Sequence, residues 1–388
     1  MCLGRGLTTI IEVVTLSPVD SRRVTFRRWA AVDPPESGVA DYLDPFGHGR
    51  RTWKYSRWTS GEVIVGFPAT ELVASWTASA PRGTWIEVEL CGRTTRGDLT
   101  KWYVMGRWAE GEADVHRTSL PGQGDDDGDV AVDTLVAARP LTSYRLRVTL
   151  YRSGGLEPAL RSAGVMASAM PRSAVPPVSR PGMARGIELD VPRRSQKIHS
   201  GHCPELDGGG VNWCSPASVT MVLDYWGRGP GEGETAWVTR RHPGDPCPKV
   251  DHAARDMYDH SYQGTGNWPF GVAYAGRYGL DGFVTRLRSL AELERFIDAG
   301  IPVITSQSFR EAELPGSGYS TSGHIMVVTG FTARGDVIAN DPAAPDDSSV
   351  RRVYPREAFE QVWQRGTGGI VHVIHPDDVP LPGSEGNW

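Results

Sequence analysis

Trp213-Cys214-Ser215-Pro216-Ala217-Ser218 opens the stretch on which the reading of this chain turns. From Val219 the apolar residues recur as Val219, Val222, Leu223 and Trp226, the spacing that gives a helix one buried stripe, and Gly227 ends the pattern. Pro216 suits the first helical turn, where a missing N–H costs nothing. Cys214 therefore falls where unpaired N–H groups and the positive end of the helix dipole converge. A thiol with a free pKa of about 8.5 is pulled down there and becomes a usable nucleophile. The competing assignment is a small buried cysteine packed behind Trp213.

Partners for a thiolate occur downstream. Gly323 to Gly330 reads as a strand with His324 at its entrance. A second strand, Val337-Ile338-Ala339-Asn340, ends at Asp341-Pro342, and the turn Ala333-Arg334-Gly335-Asp336 predicts a hairpin between them. In such a hairpin His324 can take the Cys214 proton and return it to a leaving amine while Asp341 holds the imidazole tautomer. Asn340 competes for the third role. Asp341 is favoured because the turn before Pro342 ends the strand there and a carboxylate better stabilises imidazolium. Leu290, Leu293, Phe296 and Ile297 predict an amphipathic helix stopped at Gly300, and Ile301 to Thr305 the next strand. Asn267-Trp268-Pro269-Phe270 sits in a Gly-bounded turn ahead of a helix through Val272, Ala273 and Ala275, and is expected to shape a substrate groove.

Residues from about Leu189 to His375 resemble the papain-like cysteine peptidases related to the bacteriocin-processing, double-glycine leader peptidases, in their free-standing bacterial form. The resemblance is carried by Asp190-Val191-Pro192 with Ser195-Gln196, by Trp213 to Ser218, and by Gly266-Asn267-Trp268-Pro269-Phe270. Gly300-Ile301-Pro302-Val303, Gly323-His324, Asn340-Asp341-Pro342 and Phe359-Glu360-Gln361-Val362-Trp363 complete it. It implies Cys214 as nucleophile, His324 as base, Asp341 as orienting acid and Gln196 as a side-chain donor to the oxyanion. Two departures stand out. Ser215 occupies a place where glycine is common, and 17 residues separate Gln196 from Cys214, so the insertion from His199 to Val211 must loop out.

The first half has another texture. Short β-rich runs at 62–66, 72–76, 84–90, 101–105, 130–135 and 144–151, divided by Gly, Pro and Asp clusters, predict an antiparallel β-sandwich. Trp58, Trp76, Trp102 and Trp108 offer faces for sugars or, more commonly, core packing. Asp125-Asp126-Asp127-Gly128-Asp129 lacks the later Glu of a full calcium loop and reads as a solvated turn. Met166 to Arg185 is rich in Pro, Ser, Ala and Arg and reads as a linker.

The expected fold class is thus α+β: a papain-like cysteine peptidase domain at 186–388, its nucleophile helix packed on an antiparallel sheet, preceded by an all-β sandwich-like domain at 1–165 and a linker at 166–185. In 388 residues, 39% of them hydrophobic, no apolar run reaches the roughly 18 residues of a membrane span. A net charge of -5 and only short Arg clusters exclude nucleic acid as the main partner. The expected partner is a peptide or protein substrate, with cell-wall carbohydrate a further partner for the first half.

Five cysteines, Cys2, Cys91, Cys203, Cys214 and Cys247, fit one free nucleophile plus up to two bridges, Cys203 with Cys247 and Cys2 with Cys91. Met1 to Asp20 lacks an export signal, since Glu12 interrupts the apolar stretch from Leu7 to Leu16. Either the start is truncated or mis-assigned, or the protein is cytoplasmic with reduced thiols; the resemblance implies a secreted or cell-surface enzyme. His199, His202, Cys203, His242, Cys247, His252 and His260 invite a zinc assignment, but no paired ligand spacing is present, and neither metal nor cofactor is expected. The function expected is hydrolysis of peptide bonds through a Cys-His-Asp triad and an acyl-enzyme. The alternatives are a cell-wall peptide amidase or transpeptidase with the same triad, or a non-catalytic carbohydrate-binding protein.

Overall fold

The computed structural model describes residues 23–30, 34–171 and 178–388. The segment read for an export signal, Cys2 and part of the expected linker lie outside them. The first half is all β: β1 Arg23–Ala30, β2 Glu36–Asp44, β3 Gly49–Thr59, β4 Val63–Ser79, β5 Thr84–Thr94, β6 Tyr103–Trp108, β7 Gly128–Ala131, β8 Thr134–Arg152 and β9 Ala159–Ala169. Hydrogen bonds join all nine into one antiparallel sheet with the path β1-β9-β4-β8-β3-β2 and β5, β6 and β7 attached. Here β8, 19 residues long, pairs in turn with β3, β4, β5 and β7 and makes the sheet continuous.

Several boundaries differ from the sequence expectations. The runs at 62–66 and 72–76 are one strand, β4, with its register shifted between Ile64 and Ala69. The run at 130–135 is not a strand but a hairpin, with Val132 in the left-handed region at φ 60. β9 continues through Ala169, so it takes the first residues of the stretch expected as linker.

In the second half, helices α1 Cys214–Tyr225, α2 Glu232–Arg241, α3 Pro248–Met257 and α4 Trp268–Arg277 precede a six-stranded antiparallel sheet. Its strands are β10 Asp281–Arg286, β11 Val303–Phe309, β12 Thr321–Phe331, β13 Val337–Asn340, β14 Arg351–Tyr354 and β15 Ile370–His375, in the order β10-β15-β11-β12-β13-β14. Two more helices, α5 Leu290–Asp298 and α6 Arg356–Thr367, lie between strands in sequence. Side chains alternate across a strand, and both faces of this sheet are buried. Ile325 and Val327 of β12 pack with Val219 and Val222 of α1, whereas Met326 and Val328 pack with Leu293 of α5 and Phe359 of α6.

The halves share a core. Phe270 of α4 is fully buried and meets Trp76 at 6.2 Å and Trp108 at 5.4 Å between ring centroids. Trp76 and Trp108 are therefore core residues rather than sugar platforms. Trp58 packs edge-on to Trp29, and the Arg147 guanidinium lies 4.0 Å over the Trp102 ring. The Asp125–Asp129 loop closes on itself, with Asp125 Oδ1 accepting from the backbone N–H of Asp127 at 2.9 Å. No helix among the described residues is long and apolar enough to cross a membrane. Cys91, Cys203, Cys214 and Cys247 are all free thiols, so Cys203 and Cys247 are not bridged.

Candidate active site

Helix α1 begins at Cys214. Trp213 before it is fully buried and donates its indole N–H to the Leu206 carbonyl at 2.8 Å, which anchors the helix start. Trp213 packs with Ala217, Val250 and Ala254, while the half-buried Cys214 side chain lines a cleft of about 700 Å³ instead of sharing that packing. As the first helical residue, Cys214 has a backbone N–H with no intrahelical acceptor.

His324 enters the same cleft from the start of β12, which α1 grips through a hydrogen bond from Ser218 Oγ to the Ile325 carbonyl. The β12–β13 hairpin pairs Val327 with Asn340 and carries Asp341 just beyond the strand. There His324 Nε2 lies 2.8 Å from Asp341 Oδ1. Burial alone would depress the imidazole, but the charge and hydrogen bond of Asp341, helped by the Cys214 thiol, outweigh it and push His324 up to about 10. With Nε2 committed to Asp341, Nδ1 is the nitrogen left to face the thiol.

Asp341 is itself held on all sides. Its Oδ1 also accepts the Ala343 N–H at 2.9 Å, and its Oδ2 accepts the hydroxyls of Tyr319 at 2.8 Å and Tyr354 at 2.6 Å. Burial would raise this carboxyl, yet His324 and these donors bring it down to about 2. Burial and the neighbouring carboxylate push both phenols well above their ordinary range, so they remain donors. Sequence reasoning missed both tyrosines, because single tyrosines in a loop and on a short strand carry no local signal. Asn340 takes no part: pointing to the opposite face of the strand, it donates to the Val191 carbonyl at 3.1 Å.

Gln196 reaches the cleft despite the long insertion. The insertion folds back on itself: Gly210 lies so close to the His199 and Gln196 carbonyls that a Cβ there would stand 2.5 Å from Gln196 O, and only glycine fits. The Gln196 side chain donates one N–H to the Val211 carbonyl at 2.5 Å, and its backbone N–H bonds the Pro342 carbonyl beside Asp341. The amide keeps a second N–H.

The opposite wall comes from the first half. The β7–β8 hairpin tip, Ala131 to Thr134, lines the cleft together with Trp268. Asp133 Oδ2 accepts the Trp268 N–H at 2.9 Å, and burial pushes that carboxyl up to about 6. Of the turn expected to shape the groove, Trp268 does so, whereas Phe270 is core and Asn267 caps α4 by accepting from the Phe270 N–H. Of the residues weighed for zinc, Cys203 and His242 meet at 3.8 Å beside Asp251, and the others part company. His252 bonds the Tyr274 hydroxyl and His260 bonds Glu112, but His199 and His202 meet Asp245 and Asp251. Cys214 belongs to none of these groups.

No curated protein matches the chain. Among solved structures it is similar to a Bacillus anthracis protein described as a C39-like peptidase, at 20% identity over 50% of this chain and 98% of that one, with a TM-score of 0.32. It is also similar to an infectious bursal disease virus Gt strain structure (14% identity, 42% of this chain and 37% of that one, TM-score 0.21). A third likeness is to carbohydrate-binding modules of the β-sandwich superfamily (12% identity, 38% and 57%, TM-score 0.17). Residues 17–168 match the peptidase C39 N-terminal domain and residues 188–370 the peptidase C39-like family, so the two matches follow one another and reach from the first sheet to the start of β15. The chain belongs to the C39-like peptidase family.

Proposed function

We propose that this protein is a papain-like cysteine peptidase that cuts peptide bonds through an acyl-enzyme, with Cys214 as nucleophile, His324 as base and acid, and Asp341 as the group that fixes the imidazole. The observation that carries this reading is the imidazole held by Asp341 beside the one cysteine that opens onto the cleft at a helix start. An imidazolium that persists to about pH 10 favours a thiolate next to it. The Cys214 sulfur attacks the scissile carbonyl carbon, and the charge that develops on oxygen is met by the Cys214 backbone N–H and the second N–H of Gln196. His324 then gives its proton to the leaving amine. A water, deprotonated by the same nitrogen, cleaves the thioester and restores the thiol.

The test is the pH dependence of Cys214 alkylation by iodoacetamide, read by peptide mass spectrometry, beside hydrolysis of a mixed peptide library by the same sample. Fast labelling well below pH 8 that slows in His324→Ala, with cleavage lost in Cys214→Ala, is expected. Labelling that rises only near pH 8.5, the ordinary range of a thiol, and ignores His324 would overturn the proposal.

A further inference from the structure

The insertion between Gln196 and Cys214 carries a second constellation. His199 sits in its first turn and His202 just after; Asp245 precedes α3 and Asp251 lies on it. Their donor atoms all lie within 4.8 Å of one another. His199 Nδ1 is 2.7 Å from Asp251 Oδ2 and 3.4 Å from Asp245 Oδ2, and His202 Nδ1 is 2.9 Å from Asp251 Oδ1 and 3.5 Å from Asp245 Oδ2. The side chains of His199, Asp245 and Asp251 are entirely buried.

Hydrogen bonding accounts for only part of this cluster, the bond between His202 Nδ1 and Asp251 Oδ1 at 2.9 Å. His199 Nδ1, Asp245 Oδ2 and Asp251 Oδ2 converge, yet none has a hydrogen-bond partner of acceptable geometry. No lysine or arginine among the described residues forms an ion pair with either carboxylate. Two carboxylates facing each other out of water carry a penalty of several kcal/mol per ion, and among the described residues only the two imidazoles pair with them. A dication at the point of convergence removes it.

We propose that His199, His202, Asp245 and Asp251 bind a divalent transition-metal ion, and that the ion is zinc. Ligands about 2.0–2.2 Å from a tetrahedral zinc stand roughly 3.3–3.6 Å apart, which matches the spacing of both imidazoles from Asp245 Oδ2. Asp251 presents one oxygen toward each histidine, and Oδ2, which has no hydrogen-bond partner, is the fourth ligand. Two imidazoles disfavour calcium and magnesium, which take oxygen ligands. The His202 ring is stacked on His242 at 3.7 Å, which fixes the orientation of a ligand ring from behind. Asp245 and Asp251, which the sequence pattern did not single out, supply half the donors.

The ion ties the loop that carries Val211, the acceptor of the Gln196 amide, to α3, whose Val250 and Ala254 pack on Trp213 and Ala217. It is a staple across the approach to the nucleophile helix and takes no part in bond cleavage.

The full chain, stripped with chelator, is titrated with Zn²⁺ by calorimetry and with Co²⁺ by visible absorption. One ion per chain, a rise in melting temperature on Zn²⁺ addition, and Co²⁺ bands free of thiolate charge transfer are expected. Binding should persist in Cys214→Ala and fall at least 100-fold in the double variant Asp245→Asn, Asp251→Asn. If that variant does not fold, the wild-type Co²⁺ spectrum and stoichiometry decide alone. No uptake by stripped wild type, a thiolate band, or undiminished binding in the double variant would each overturn the assignment.

Discussion

Replacing Asp341 with asparagine separates the charge of this residue from its geometry. Oδ1 accepts from Ala343 and faces His324, so an amide oxygen fits that position. The amide nitrogen then faces the Tyr319 and Tyr354 hydroxyls, which now stand at Oδ2 and can rotate to accept. What disappears is the negative charge. His324 titrates at about 10 against an ordinary 6.5, with Asp341 the leading cause of the rise and Cys214 a lesser one. That difference is worth about 5 kcal/mol of preference for imidazolium. Without the carboxylate the ring falls back most of the way, so loss of imidazolium should move down by roughly two to three pH units. The assay is Cys214 alkylation by iodoacetate, whose anion favours a thiolate beside imidazolium, followed against pH. Wild type should hold its rate until near pH 10 and Asp341→Asn should lose it near neutrality. If the alkaline edges of the two proteins coincide, Asp341 does not set the charge state of His324. Asp341→Ala, in contrast, strands His324, both tyrosines and the Ala343 N–H, and should lower stability by about 3–5 kcal/mol in urea unfolding.

Gln196→Ala should reduce kcat by about 10²–10³ with little change in KM if its amide meets the oxyanion; unchanged turnover in steady-state hydrolysis would end that role. Phe270→Ala empties a site shared by both halves and should cost about 3–5 kcal/mol in a single calorimetric transition. Two transitions, only one of them displaced, would contradict a common core. His372 is fully buried, neither ring nitrogen has a hydrogen-bond partner, and burial depresses it to about 3. The unfolded chain then binds a proton that the folded one refuses between its ordinary value and about pH 3, so stability falls as pH drops through that window. His372→Leu should abolish about 2 kcal/mol of the loss between pH 7.5 and 5, read as the difference in unfolding free energy; parallel pH curves would refute it.

What could be read in advance depended on how local the signal was. The apolar spacing after Cys214 and the stop at Gly227 gave α1 Cys214–Tyr225, and the Gly335 turn gave the β12–β13 hairpin that brings Asp341 to His324. The choice between Asn340 and Asp341 followed from strand pleating once the register was known. Tyr319, Tyr354 and Asp245 had no such signal, since each matters only through a neighbour distant in sequence. β1 and β3 escaped for another reason: they are Arg-rich and largely half-exposed, so no apolar alternation marks them. Val132 misled because a β-branched residue at positive φ contradicts its own propensity, and what read as one strand is a tight hairpin on the cleft.

The packing of Phe270 between Trp76 and Trp108 also bears on how the chain is made. A ribosome releases the last strand of the first sheet, β9, roughly a hundred residues before Phe270, an interval of about 5–20 s at ordinary synthesis rates. During that interval the Trp76 and Trp108 rings lack the Phe270 side chain that later covers them. Apolar surface left open in this way is exposed to self-association until α4 emerges and closes it.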